Sequence, residues 1–255
     1  MFKSLFCVLV IVALALPQTT LKEFADSTGC DTTTILLKGD TNTALRNNGR
    51  LIRRFPNPSD SQAFIAALTD ISSLRYVRTP TQWLINNVLR ENGMALQYFP
   101  AATKRQMMIA CRQNGIAIRY IDSVNQDDSI QVAAVKDNGN ALTYIKSPCD
   151  SAKWWACKRL GCSLLYIDSA HQTVQLCSLA CLNDGYALQY VYKQTENIRI
   201  RAIVSEPYAI QFCDTITIAL AKMAVRRNIA CVKWIDPKIF TGTKQKLQSL
   251  RSGGK

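Results

Sequence analysis

Ala133-Ala134-Val135-Lys136-Asp137-Asn138-Gly139-Asn140-Ala141-Leu142-Thr143-Tyr144 joins an alanine-rich amphipathic run to an Asn-Gly step and then to a short apolar segment ending on a ring. Asn92-Gly93-Met94-Ala95-Leu96-Gln97-Tyr98 and Asp184-Gly185-Tyr186-Ala187-Leu188-Gln189-Tyr190 repeat its second half. With the last tyrosine as a phase mark, the position recurs at Tyr76, Tyr98, Tyr120, Tyr144, Tyr166, Tyr190, Phe212 and Trp234, spaced by 22, 22, 24, 22, 24, 22 and 22 residues. One step further back stands Arg54, without a ring but inside the same pattern. Ten residues before the mark lie Ala44, Ala66, Val88, Ala110, Ala134, Ala156, Ala180, Ala202 and Ala224. Five before it lie Gly49, Ile71, Gly93, Gly115, Gly139, Gly161, Gly185, Pro207 and Ile229. Leu or Ile fills the position two before the mark from Ile52 to Ile210, with Val232 in the last repeat.

Each column has a mechanical reading. Seventeen before the mark, Ser59, Thr81, Thr103, Asp127, Thr173, Thr195 and Thr217 can accept from the free N–H groups of a helix start, with Cys149 as the exception. Gln62 and Gln106 follow Ser59 and Thr103 at the capping-box spacing. The helix that follows should stop at the glycine column, read as left-handed C′ residues. A second helix of about two turns should carry Ala141, Leu142, Tyr144 and Ile145 on one broad face. A unit this small cannot bury its own core and gains stability only by stacking. The spacing therefore predicts an all-α, elongated α-solenoid of about nine helix–turn–helix units with a 22–24-residue period over residues 40–237. In it the alanines let neighbouring first helices approach, and the ring column supplies the largest buried surface between units. The two-residue expansions belong in the turn before the next cap, where length change is tolerated. Strands would need period-two alternation, which these segments lack.

The quoted segments resemble the AAVKxNGxALxY repeat of a domain family of unknown function, found as tandem arrays in large DNA viruses of protists, in some protists and in some bacterial effectors. The resemblance runs from about Ala44 to Asp236 and departs at Arg54, Pro207 and Ile229. It implies a helical-repeat fold and an interaction role, a viral or effector-type host interaction being the first expectation. It brings no catalytic residues, and it does not imply a secretory leader.

Outside the repeats, Leu5–Leu16 form an apolar run of twelve behind Lys3. Residues 1–16 read as a signal peptide or, alternatively, an N-terminal apolar helix, and twelve residues are too few to span a bilayer. Residues 17–39 are a cap or linker, and residues 238–255 a basic flexible tail. The chain would be secreted if the leader is real and otherwise cytoplasmic, in a host cell if viral. No transmembrane span is expected in the mature chain, and a monomer is. With 48% hydrophobic residues and 11 Gly in 255, the composition excludes disordered and collagen-like chains. A net charge of +13 favours an acidic partner without choosing its class.

Candidate chemistry is sparse. Cys111, Cys157, Cys181, Cys213 and Cys231 occupy apolar columns and read as packing residues, whereas Cys30, Cys149, Cys162 and Cys177 fall outside that account. Cys157, Cys162, Cys177 and Cys181 with His171 match no zinc spacing, so no metal or other cofactor is expected. No phosphate loop, nucleophile elbow or metalloprotease motif occurs, and a non-enzymatic chain is the expectation. Two ladders remain. Eight before the mark, Arg46, Arg90, Arg112, Lys136, Lys158 and Arg226 form a cationic series that could follow an anionic partner, or simply oppose helix dipoles in water. Six before it, Asn48, Asn92, Asn114, Asn138 and Asn228 could hold an extended peptide, or serve as stop chemistry. Exposed rings for stacking on nucleic acid are not expected, since the ring column reads as core and Trp83, Trp154 and Trp155 are few. The first functional expectation is thus a scaffold for a protein partner. Its alternatives are a nucleic-acid-binding array and a structural component of a particle.

Overall fold

The computed structural model describes residues 41–239. The leader over 1–16, the segment 17–39, the tail from residue 240 onward, Cys7 and Cys30 lie outside the described residues. Within them the chain is all-α, with no strand. Its α-helices are α1 (Thr41–Asn47), α2 (Asp60–Thr69), α3 (Gln82–Glu91), α4 (Lys104–Gln113), α5 (Asp128–Asp137), α6 (Asp150–Arg159), α7 (Val174–Asn183), α8 (Glu196–Ser205) and α9 (Ile218–Arg227). Each leads into a 3-10 helix of six residues that ends on the phase mark, as in Gly93–Tyr98 after α3 and Gly139–Tyr144 after α5. The two expansions form one-turn 3-10 pieces, Ser123–Asn125 and Ser169–His171, in the predicted turn. No helix among the described residues is long and apolar enough to cross a membrane.

The start signals work as the sequence implies. Ser59 accepts from the Gln62 N–H and the Gln62 side chain answers on the Ser59 N–H, a complete capping box. Thr81, Asp127, Thr173, Thr195 and Thr217 cap α3, α5, α7, α8 and α9 in the same way, a contribution of about 1 kcal/mol each. Cys149 is no exception after all, since its Sγ accepts from the Ala152 N–H at 3.4 Å.

Helix ends are built differently from the expectation. The residue before the glycine closes the α-helix in extended backbone (Asn92 at φ −148°, ψ 102°), and its side chain then caps the 3-10 helix by accepting from the Met94 N–H. None of the six glycines in the column takes left-handed backbone. Their requirement is space: a Cβ on Gly49 or Gly115 would stand 2.2 Å from the carbonyl oxygen of Ala66 or Ala134 in the following repeat. The column is glycine because the next helix's backbone occupies the site of a side chain.

The second helices being 3-10 rather than α also moves the rings. With three residues per turn, the positions five before, two before and one after the mark share a face. That face is the core: Leu142 and Ile145 are buried, as are Leu164 with Ile167 and Leu188 with Val191. The ring itself is turned away by about a third of a turn. Tyr76, Tyr144 and Tyr166 are exposed at 40%, 39% and 43%, and the other rings of the column are half-buried, which corrects the expectation that they fill the seams. They pack edge-on along the flank instead, as Tyr186 with Phe212 at 6.2 Å and Tyr208 with Trp234 at 5.2 Å.

The chain divides into two compact units at Gln113–Asn114, inside the fourth repeat. The first stacks α1 to α4 with three 3-10 helices, and the second stacks α5 to α9 with six six-residue 3-10 helices and the two one-turn pieces. In each, the alanine column and the Leu/Ile column form the dry interior. Gly115→Ala should lower stability by about 2 kcal/mol, because the added carbon meets backbone that cannot rotate away. Ser163→Ala should raise it by about 1 kcal/mol, because the Ser163 hydroxyl is buried without a partner in a column otherwise rich in alanine. Urea titration of both variants reads these shifts, and an unchanged Gly115→Ala midpoint would contradict the close seam.

Candidate functional site

On α4, Arg105, Met108, Ile109 and Arg112 fall at i, i+3, i+4 and i+7 and so share one stripe of the helix. The stripe faces out, its arginines exposed and its two apolar residues half-buried. Arg90, in the last turn of α3, stands beside it, and Lys104 closes the other end. Together these six residues line an open groove of about 690 Å³ in the first unit. No carboxylate of the described residues pairs with Arg90, Arg105 or Arg112.

The same repeat positions are used again in the second unit. Trp154 and Trp155 on α6 occupy the places that Met108 and Ile109 hold on α4, and Lys136 and Lys158 those of Arg90 and Arg112. The two indoles meet edge-to-face at 5.0 Å. Lys136 Nζ lies 4.4 Å from the Trp155 ring, and Lys158 Nζ 4.7 Å and 4.8 Å from Trp154 and Trp155. These are attractive cation–π distances, worth about 0.5–1 kcal/mol each at an exposed site. Trp154 is nonetheless exposed. Each unit thus carries one apolar pair flanked by the ladder cations of two successive repeats. In the second unit the cations rest on the pair, and in the first they stand around it.

The structure therefore brings four of the six ladder cations into two strips, Arg90 with Arg112 and Lys136 with Lys158. Arg46 and Arg226 are exposed in the last turns of α1 and α9; Arg46 precedes the half-buried pair Phe64–Ile65 on α2, but Leu68 stands where that strip would need its second cation, and no described repeat follows Arg226. The asparagine ladder is engaged locally: Oδ1 of Asn48, Asn92, Asn114, Asn138 and Asn228 accepts from the backbone N–H two residues on, capping each 3-10 helix. Asp70, Asp184 and Glu206 do the same in their repeats.

All eight described cysteines are free thiols. Cys177, unexplained by the columns, is buried in the core with Cys157 and Cys181. Cys162 donates its S–H to Asp184 Oδ2 at 2.8 Å. No group of three or more His, Cys, Asp or Glu among the described residues is placed to hold a metal, and His171 is exposed in its turn. Burial pushes Cys111, Cys157 and Cys181 up to about 12, since a thiolate there would lose its hydration. Alkylation of the folded chain at mildly alkaline pH should leave those three unmodified, with peptide mass spectrometry as the readout. These folded-state values lie above the ordinary 9.0, so their contribution is complete at neutral pH and stability should fall as pH rises from 9 toward 12.

Two sets of inter-repeat hydrogen bonds escaped the sequence reading. Residues seven before the mark reach back to the end of the previous α-helix: Thr69 to the Arg46 carbonyl, Gln113 to Glu91, Asn183 to Lys158 and Arg227 to Val204. The Gln113 and Asp137 side chains also accept the Gly93 and Gly115 N–H groups at 2.6 Å and 2.7 Å. In the turns, Gln126, Gln172 and Gln194 donate to the carbonyls of Tyr144, Tyr190 and Phe212 in the next repeat. Comparison of the chain with family models, curated proteins and solved structures returns no match.

Proposed function

We propose that the chain is a non-enzymatic scaffold that binds a protein partner through its two cation-flanked apolar strips. One observation carries this reading: unrelated side chains, Met108–Ile109 and Trp154–Trp155, reproduce one layout at equivalent repeat positions on exposed helix faces. Trp154 stays exposed and Met108, Ile109 and Trp155 only half-buried, whereas Ala110, Cys111, Ala156 and Cys157 on the same helices are fully buried. Exposed indoles and arginines are the residue types that concentrate binding energy at protein interfaces. The repeat resemblance extends the proposal to a host-interaction role.

A second reading, a nucleic-acid-binding array, draws on the exposed Trp154 beside Lys136 and Lys158, a pairing of ring and cation that suits single strands. Capture with the tagged full chain, treated with nuclease and compared with a Trp154→Ala/Lys158→Ser variant, separates the two. The scaffold reading expects a protein retained by the parent after nuclease and depleted by the variant at least about tenfold. Recovery of nucleic acid instead, with affinity for a random oligonucleotide falling steeply as salt rises, would favour the array.

A further inference from the structure

We propose that the groove of the first unit binds an acidic peptide segment with an apolar centre, its hydrophobic side chains on Met108 and Ile109 and its carboxylates on Arg105, Arg112 and Arg90. This rests on the scaffold reading and names the partner chemistry for one of the two strips.

Charge complementarity sets the sign. Three arginines without carboxylate partners among the described residues surround the groove, with Lys104 at its end. A guanidinium presents paired N–H donors that match a carboxylate fork. Spacing sets the pattern. Arg105 and Arg112 are seven residues apart on one helix face, about 10.5 Å along its axis. Carboxylates three residues apart on a polyproline-II peptide share one face and span about 9 Å, close to the arginine spacing, with two residues between them to meet the groove floor. The floor sets the class. Exposed ion pairs contribute about 0–1 kcal/mol each, so charge alone would bind any polyanion weakly. Met108 and Ile109 add half-buried apolar surface that a phosphodiester backbone cannot use. No ring lines the groove, so it offers no platform for base stacking.

The neighbouring surface of the unit continues the same chemistry. Leu68 on α2 stands at the ladder position and is exposed, as is Trp83 on α3 at the position equivalent to Arg105. Trp83 meets Phe64 edge-on at 5.9 Å. The outer face of the first unit thus passes from apolar on α2 and early α3 to apolar-with-arginine on α4. The second unit's strip differs in kind, because Lys136 and Lys158 already lie across its indoles.

The probe is a fluorescein-labelled peptide with a Glu-Glu-Leu-Leu-Glu-Glu core, titrated with the full chain at moderate salt and read by anisotropy. Saturable binding is expected, weakened about tenfold when both leucines of the peptide become serine. Arg105→Ser with Arg112→Ser should weaken the leucine peptide by a similar factor, and both positions are exposed, so a melting curve near the parent's should accompany the loss. Met108→Ser should weaken the leucine peptide and leave the serine peptide unchanged. Equal affinity for the two peptides, displacement of the leucine peptide by a short DNA duplex at lower concentration, or indifference to the double arginine variant would overturn the proposal. Lys136→Ser with Lys158→Ser should leave peptide binding intact. If the peptide does not bind while the parent chain still captures a nuclease-resistant partner, the groove assignment fails and the scaffold reading stands. If the peptide binds and no protein is captured, the reverse holds.

Discussion

The stacking of the repeats depends on a close approach between backbone and backbone. In six of the nine repeats a glycine opens the 3-10 helix under the carbonyl of the alanine ten before the next mark, where a Cβ would stand 2.2–3.0 Å from that oxygen. A contact of that kind is unforgiving, because carbonyl oxygens cannot rotate aside as a side chain can. It also explains why alanine accompanies glycine. A larger residue at the alanine position would hold the two elements apart and leave the polar groups around the seam unpaired. With the seam closed, the Gly93 and Gly115 N–H groups find acceptors on the next repeat, and carbonyls at α-helix ends find donors there. Glycine, alanine and the polar residue seven before the mark thus form one device, in which sterics and hydrogen bonding satisfy each other.

Closing the seam on small residues decides what remains for the surface. Leucine and isoleucine at three-residue spacing fill the interior under the 3-10 helices. The rings are then displaced to the flank, where they meet each other edge-on or take a cation from the preceding repeat. Arg119, for example, lies 5.5 Å from the Tyr120 ring and 5.3 Å from that of Tyr144. On the α-helices the outer stripe is only partly buried, and it is there that Met108–Ile109 and Trp154–Trp155 appear between cations. Because the scaffold is satisfied by other faces of each helix, that stripe is free to vary from repeat to repeat.

Much of this was legible in the sequence, for a physical reason: a repeat states each structural requirement many times, so one degenerate position such as Arg54 or Cys149 does not hide the rule. Helix starts, the alanine and leucine columns and the place of the expansions could all be read from residue type alone. The kind of second helix could not. Glycine after asparagine fits a left-handed stop and a close contact equally well, and only the next repeat's carbonyl distinguishes them. That misassignment carried the rings with it, since a 3.6-residue period puts Tyr144 beside Leu142 and Ile145, whereas a 3.0-residue period turns it away. The site was half legible. The cationic column was visible, but its significance lies in the apolar pair beside it, and Met-Ile and Trp-Trp share no letters that would align as a motif. Gln126, Gln172 and Gln194 fall just before the helix caps, and residue type alone does not reveal that their amides bridge to carbonyls of the next repeat.

The exceptions to the glycine column support the same mechanism. Ile71 replaces glycine inside the first unit, and the residue it faces in the next repeat is Val88, where every other repeat has alanine. The two bulky residues fall at one seam, and the 3-10 helices Ile71–Tyr76 and Gly93–Tyr98 touch less there than Gly49–Arg54 and Ile71–Tyr76 do. Pro207, which fits the first position of a helix and has no N–H to satisfy, marks another thinned seam, between α8 and α9. Ile229 stands in the last described repeat and is exposed, as is Val232, although its column is buried in every earlier repeat. Glycine thus gives way to isoleucine where the facing residue is also bulky or where no described repeat follows, and to proline at Pro207, where the facing residue is still Ala224 and the seam is thinner. A column kept for turn geometry alone would show no such dependence on the neighbour.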